Sequence, residues 1–510
     1  MRNSRFHLFR LLSEERFLFV SIIAITVFTR TFHLTYQSLW FDELYSICVA
    51  NPSNSFSTIL TDIKTDFHPP FYYFILNTVF RIFPYNDFVG RIISAIFGIM
   101  GVCAMYFLGK EIRNKRIGLL MAFLMSVSLY QIKHSQEVRM YILLSLLAIV
   151  SSLLFLKAIK KSKSGHFFLY TIASALMMYT HYYGFFVVLA HFLSLCHLLV
   201  FKVIDVSILK KSVFSYSGIF LLYLPWIPDI ITTGGRHHFM EIKEPWYFFS
   251  FLYEYYGKEP LTTLLVLGGL FLFMKGFFRS GIENNIDQKI SGIFILYGLI
   301  IIYTAPYMFS FYKPIINLPG TLSVLPFLIA AVVLGIDQFK KRTVNILMLI
   351  IFISNFINIA FINKYYVNNS KQNFRQITAK INDSNRKKNN AKIAVSQIAD
   401  FYGYYFKQFS SDIKTVNPNE YEPAGVLCKV DCFYVINAPF TKEKNRQLEE
   451  IDELGFLILY PRISDSVHRI KDKHKQWVKY IDHFFIIDSV FLDDKTKNEV
   501  AFRYRRKCAL

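Results

Sequence analysis

The sequence predicts a polytopic α-helical membrane protein of about eleven transmembrane helices with a C-terminal α/β domain, and three observations predict it. Just over half of its 510 residues are hydrophobic and 17% are aromatic, which gives a mean hydropathy of +0.33. Long apolar runs recur through roughly the first 360 residues, each near the length that a bilayer demands. The net charge of +21 falls in short basic patches between those runs, which is how membrane topology distributes lysine and arginine. No RNA- or DNA-binding motif accompanies the charge, so nucleic acid is excluded as a partner.

In chain order, Arg2, Arg5 and Arg10 precede the first apolar run in the manner of a signal peptide. With many spans following and no clear small-residue cleavage site, an uncleaved first helix is expected. The spans read as Phe17–Phe32, Ile92–Leu108, Ile117–Tyr130, Met140–Leu156, His166–Thr180, Tyr183–Val200, Val213–Ile231, Leu261–Phe273, Ile290–Phe309, Leu322–Ile336 and Val344–Ile362. Several fall short of the ~20 residues of a full crossing, and flanking aromatics complete them at the interface.

The run Phe71–Phe83 has the length of an interfacial segment, and charge decides its placement. If it lies flat, the inner side receives the N-terminal arginines and the basic loops Lys110–Arg116, Lys157–Lys163, Lys202–Lys211, Lys275–Lys289 and Lys340–Arg342. Together these hold 21 lysines and arginines against 8 in the outer loops. If it crosses, most basic loops change to the wrong side. The flat reading puts a first outer loop at 34–91, the stretch Ile132–Tyr141 and everything after Asn363 on the extracytoplasmic face.

The expected domains are therefore 1–362, embedded in the membrane, and 363–510, an α/β domain outside it. That tail carries 26 Lys and Arg against 18 Asp and Glu. Within it, Ala391–Ser396 and Cys432–Asn437 read as strands, and Phe374–Ile381 and Glu443–Leu454 as helices. Cys428 and Cys432 suit a disulfide in an oxidising compartment and suit two free thiols equally well.

The outer face is where chemistry collects. Asp42 and Glu43 stand in SLWFDELY, and Asp66 and His68 in TDFHPPFYYF, ahead of the paired Pro69 and Pro70. Glu137, Arg139 and Tyr141 stand in QEVRMY, and His181 closes the outer end of the fifth span. Each has an ordinary reading as well. Acids just outside a helix are common, Glu137 and Arg139 could pair with each other or cap helix ends, and either histidine could be a packing residue. His191 and His197, inside a span, are expected to hydrogen-bond to neighbouring helices.

SLWFDE, DFHPPFYY, GRIISAIFGIMGV, YQIKHSQEVRMYILL and YTHYYGFF resemble, in order and spacing, the GT-C membrane glycosyltransferases. The branch is the one with bacterial protein-mannosyltransferase-like and aminoarabinose-transferase-like enzymes. The resemblance covers residues 17–235 well and the rest in outline. It implies juxtamembrane helices in the first outer loop, an active site between that loop and the membrane, and a donor whose sugar hangs on a polyprenyl phosphate. The sequence departs from the pattern once. Relatives often carry an Arg-Tyr pair after an outer proline ahead of a late span, whereas YKPIINLPGTLSVLP has Pro319-Gly320, leaving Lys313 as the nearest cation.

Such a transfer needs a carboxylate to take the acceptor's proton, and the resemblance assigns this to Asp42, with Glu43 as its support or as a ligand for the acceptor. It also needs cations, or a metal, to stabilise charge building on the departing phosphate. Arg139 is the first candidate, and Lys313 and Arg236 are weaker ones. His68, Glu137, Tyr141 and His181 remain to bind the sugar, and Glu137 and His68 could instead hold a divalent cation (Mg, Mn or Zn) that the sequence does not by itself require. The acceptor is a glycan, a lipid or a protein, and inversion at the anomeric carbon is expected. The main alternative is a transporter or lipid flippase. Transporters place ionisable groups near the midplane and often show internal repeats; this chain has no evident repeat and keeps its acids almost entirely out of its spans.

Overall fold

In a bilayer, backbone amides must be satisfied within the segment that carries them, and the apolar runs accordingly form helices. The structure is a computed structural model and describes residues 2–64, 68–233, 247–279, 285–312, 315–316, 318–368, 371, 373–388, 392–395, 399–416, 432–436, 485–492 and 500–506. It divides into two compact units, one of Met1–Leu34 with Val49–Asn368 and one of Thr35–Cys48 with Asn369–Leu510.

The first unit is helical. It opens with α1 (Arg2–Thr31); α2 (Phe41–Val49) lies almost wholly in the second unit. Then come α3 (Phe56–Ile63), α4 (Phe71–Ile82), α5 (Asp87–Ile112), α6 (Lys115–Val127), α7 (Leu129–Ser135), α8 (Tyr141–Lys161), α9 (Ser164–Met178) and α10 (Tyr183–Val200). They are followed by α11 (Ser207–Tyr223), α12 (Ile227–Thr233), α13 (Tyr247–Tyr255), α14 (Pro260–Arg279), α15 (Ile286–Ser310), α16 (Leu325–Ile336) and α17 (Lys341–Ile357). The sequence marks many of the starts. Asn86, Asn114 and Asn285 each accept a backbone N–H from the first turn of α5, α6 and α15, the usual N-cap bond.

Every expected span falls on helix. Among the described residues seven segments are long and apolar enough to cross a membrane, or eight if the bent α6–α7 pair is one crossing. α9 has 15 residues and α16 has 12, about 22 and 18 Å of helix at ~1.5 Å per residue, less than a full hydrocarbon core. α16 is almost completely surrounded by other helices, so its short length exposes little backbone to lipid. α14 and α16 touch at backbone level: a Cβ on Gly335 would collide with the Gly269 carbonyl oxygen. Small residues permit such close crossings between membrane helices. Some polar groups of the core pair between helices as well. The ring nitrogens of His191 lie 3.1 Å from Ser152 Oγ and 3.3 Å from the Tyr170 hydroxyl.

The third expected span is not straight. α6 ends at Val127, and α7 leaves at 66°, which makes a helix of Ile132–Ser135, the first part of the stretch expected as a loop at Ile132–Tyr141. The cause lies in α1. The fully buried Arg30 guanidinium donates to the Met125 and Ser126 carbonyls, satisfying oxygens that a helix end leaves bare. Ser128 Oγ then donates to the Tyr255 carbonyl at 2.7 Å. Gln136 ties the same region back to α1, its amide donating to the carbonyls of Thr29, Arg30 and Phe32.

The second unit holds α2, α18 (Phe374–Lys388), α19 (Ala399–Gln408) and a five-stranded sheet of β1 (Ile393–Val395), β2 (Lys414–Val416), β3 (Cys432–Ile436), β4 (Phe485–Leu492) and β5 (Val500–Arg506). The strand order is β2-β1-β3-β5-β4. β1 runs parallel to both β2 and β3, while β3–β5 and β4–β5 are antiparallel. The parallel pairs imply crossovers, and α19 supplies one of them, between β1 and β2. α18 buries Phe374, Ile377 and Ile381, a helical spacing, and the Phe374 ring packs 5.4 Å from Tyr402 of α19. The expected helix at Glu443–Leu454, and Cys428, lie outside the described residues.

Candidate active site

Three separate parts of the first unit converge on one cluster, and backbone hydrogen bonds put them there. Pro69 and Pro70 have no N–H to offer, so the first donor of α4 is Phe71, and its N–H reaches the Tyr179 carbonyl at the end of α9 (3.1 Å). That bond seats His68 beside His181, with ring centroids 5.3 Å apart. His181 sits in the tight turn joining α9 to α10, where its Nδ1 accepts the Tyr183 backbone N–H at 3.1 Å. With Nδ1 so used, the ring proton belongs to Nε2.

The third part is the connection from α7 to α8. Tyr141, at the first turn of α8, stands within 6.1 Å of His68, 5.5 Å of His134 and 5.5 Å of His181, ring to ring. The Arg139 guanidinium lies 5.7 Å from the Tyr141 ring centroid, within the range of a cation–π contact. Glu137 pairs with His134 at 2.8 Å, and both are almost wholly buried. Arg139 is only 4% exposed. A guanidinium, a carboxylate and three imidazoles are costly to bury together in a bundle.

His134 went unremarked among the candidate residues, although the signal was present: it precedes Glu137 by three residues, the spacing that sets two side chains on one helix face. Tyr130, one turn earlier, packs edge-on against His134 at 4.6 Å and lies 5.5 Å from Tyr255. Its buried hydroxyl has no hydrogen-bond partner among the described residues. Across from these, the turn at Pro319–Ser323 brings Gly320 against Tyr183: a Cβ there would fall 2.7 Å from the ring. A larger residue at 320 would displace Tyr183, a packing reason for glycine at the departure from the expected Arg-Tyr pair.

Asp42 and Glu43 belong to the second unit and occupy the first turn of α2. Glu43 is fully buried, pairs with Lys371 at 3.0 Å and accepts the Trp40 backbone N–H at 3.3 Å. The second contact is the return half of a capping box. Asp42, one residue earlier, is half-buried. The segment before the helix is tied down by Tyr405, whose hydroxyl accepts the Leu39 N–H, and by Arg375, which donates to the carbonyls of Thr35 and Tyr36. Cys48, at the other end of α2, is held so that burial pushes its thiol up from the ordinary range, with the nearby Asp400 adding to the effect.

Glu43 is thus held by structural contacts. Replacing Lys371 by Met is expected to strand it as an unpaired buried charge and to cost ~3 to 5 kcal/mol. Glu43→Gln together with Lys371→Met should recover most of that loss. Thermal unfolding of the single variant, the double variant and the wild type in one detergent checks both statements.

Lys313, Arg236 and Asp66 lie outside the described residues. Among the described residues no three His, Cys, Asp or Glu side chains are grouped to hold a metal. Glu137 and His134 are engaged with each other, and the Nδ1 of His181 with a backbone amide.

The chain is a multi-pass membrane protein with the fold of the GT-C membrane glycosyltransferases. Within that class its fold is similar to that of ArnT. Residues 67–231 match the family model for dolichyl-phosphate-mannose-protein mannosyltransferase. The structure is similar to apo ArnT from Cupriavidus metallidurans, with a TM-score of 0.61 at 10% identity over 95% of this chain and 97% of that one. Its similarity to the same enzyme bound to undecaprenyl phosphate has a TM-score of 0.55, with the same identity and coverage. The oligosaccharyltransferase of Archaeoglobus fulgidus, in a complex with Zn and sulfate, is similar at a TM-score of 0.50 and 13% identity over 96% of this chain and 73% of that one. No curated protein matches the chain.

Proposed function

We propose that this protein transfers a sugar from a polyprenyl-phosphate-linked donor to an acceptor hydroxyl on the extracytoplasmic face of a cell membrane, with inversion. The observation that carries the reading is the buried cluster of His68, His134, Glu137, Arg139, Tyr141 and His181 in the first unit. Such a set is costly to bury in a bundle that only spans a membrane, and a site for a phosphate-linked sugar needs a cation for the phosphate and hydrogen-bonding groups for the sugar. Carrier lipids bound to similar folds support the lipid-phosphate class: ArnT with undecaprenyl phosphate and the archaeal oligosaccharyltransferase with dolichol phosphate.

In the reaction, Asp42 takes the proton as the acceptor oxygen attacks the anomeric carbon, and the carbon–oxygen bond to phosphate breaks. The donor leaves as a polyprenyl phosphate monoester, carrying one more negative charge than the diester. Arg139 stabilises that charge through a planar fork matched to phosphate. A phosphate departs without help from an acid, so one base and one cation suffice. His181, with its proton on Nε2, and Tyr130, with its unpartnered hydroxyl, suit hydrogen bonds to sugar hydroxyls. An unmet buried hydroxyl costs roughly 1 to 3 kcal/mol, which such a bond recovers.

Mass spectrometry of surface glycans, glycolipids and glycoproteins from cells with and without the gene tests the reading. The expected result is one species lighter by a sugar in the deleted strain. The linkage in the purified product should have the anomeric configuration opposite to that of the donor, as read by NMR. A retained configuration overturns direct displacement.

A further inference from the structure

The far end of the first unit, away from the histidine cluster, carries a cavity of about 580 Å³. It forms where the last turns of α5, α10, α14 and α16 meet the first turns of α15. The volume is within the ~300 to 1,000 Å³ of small-molecule sites. One wall is aromatic, with Phe201, Phe273, Phe277 and Phe278, and opens toward the outside of the bundle, where Phe201 is 64% and Phe278 71% exposed. The opposite rim is charged. Arg113 and Arg116 share the single carboxylate of Asp337, at 3.4 and 2.5 Å. Lys289 lines the cavity half-buried, and its ammonium has no hydrogen bond or ion pair among the described residues. The lining therefore holds two cations, Arg113 and Lys289, against one acid, Asp337, whose carboxylate Arg116 also shares from outside the lining.

The polar groups beneath are already satisfied. Lys160 and Ser291 donate to the last carbonyls of α5, and Gln338 donates to the Leu272 carbonyl. Lys289 is left to meet something anionic from outside. Gly292 keeps the space open, since a Cβ there would press on the Phe277 ring at 3.1 Å.

We infer that this cavity binds an anionic phospholipid, its phosphate at Lys289 and Arg113 and its upper acyl chain along the phenylalanine wall. Charge complementarity selects the headgroup. The outward-opening aromatic wall selects a lipid over a free anion, because only a lipid fills both halves. The site is separate from the proposed transfer chemistry.

The test uses the full chain purified in detergent and native mass spectrometry with phosphatidylglycerol and phosphatidylcholine of identical chains. One phosphatidylglycerol should be retained about tenfold more tightly than phosphatidylcholine, the size of one charge-assisted hydrogen bond. Lys289→Gln should bring the two to the same level, and Gly292→Leu, which fills the cavity, should weaken both. Should Gly292→Leu fail to fold, Lys289→Gln alone decides. Equal retention of the two lipids, or retention unchanged by Lys289→Gln, overturns the inference. So does a thermal shift from millimolar inorganic phosphate equal to that from phosphatidylglycerol, which would assign the cradle to the free ion.

Discussion

Asp42→Asn is expected to lower sugar transfer by about 10² to 10⁴-fold, the usual contribution of a positioned general base, while the protein still inserts and folds. Two adjacent acids occupy the first turn of α2. Glu43 is buried, paired with Lys371 and tied to the Trp40 amide. Asp42 shares the same helical turn but is half-buried. An acid in the first turn interacts with the helix dipole, a contribution of ~0.3 to 1 kcal/mol. Asparagine keeps the size and hydrogen-bonding capacity of the side chain and removes the charge, so its expected effect falls mainly on rate. The assay is transfer from a synthetic polyprenyl-phosphate sugar in detergent, alongside a melting curve. Transfer above a tenth of wild type with an unchanged melting point would remove Asp42 from the mechanism. Asp42→Glu, which keeps the base but moves it by a methylene, should fall between the two.

The sequence made the helical bundle legible because one free-energy term dominates it. Pairing backbone amides in lipid allows only helices or closed barrels, and apolar runs near ~20 residues long select helices. The break at Ser128 escaped notice because its cause, Arg30, lies 96 residues from the carbonyl it holds. No local pattern announces a guanidinium arriving from another helix. The assignment of Glu43 was open for the same reason, since Lys371 is 328 residues away. So was the company kept by 35–48, which packs with residues beyond 369 although it follows α1 directly. In contrast, the gathering of His68, Glu137, Arg139 and His181 around Tyr141 was legible, because all four stand at the ends of apolar runs that the charge distribution places on one face. His134 was equally legible from its spacing to Glu137. Its lysine neighbour and its place in a presumed loop concealed it until α7 proved helical.

Arg139→Gln is expected to reduce turnover by about 10² to 10³-fold, the range for losing one preorganised group aimed at developing charge. Arg139 is 4% exposed and lies over the Tyr141 ring, where a low local dielectric strengthens its hold on a phosphate. The diester donor and the departing monoester differ by one negative charge, so the interaction grows as the bond breaks. The loss should therefore fall mainly on kcat, with KM for the donor changing less. Arg139→Lys keeps the charge but loses the planar fork, and it should recover part of the rate. A purely structural arginine predicts the opposite pattern: both variants would lower the melting point, and kcat per folded molecule would stay near wild type. Turnover within threefold of wild type in Arg139→Gln, measured on protein shown to be folded, would move the leaving-group contact elsewhere, to Lys313 first.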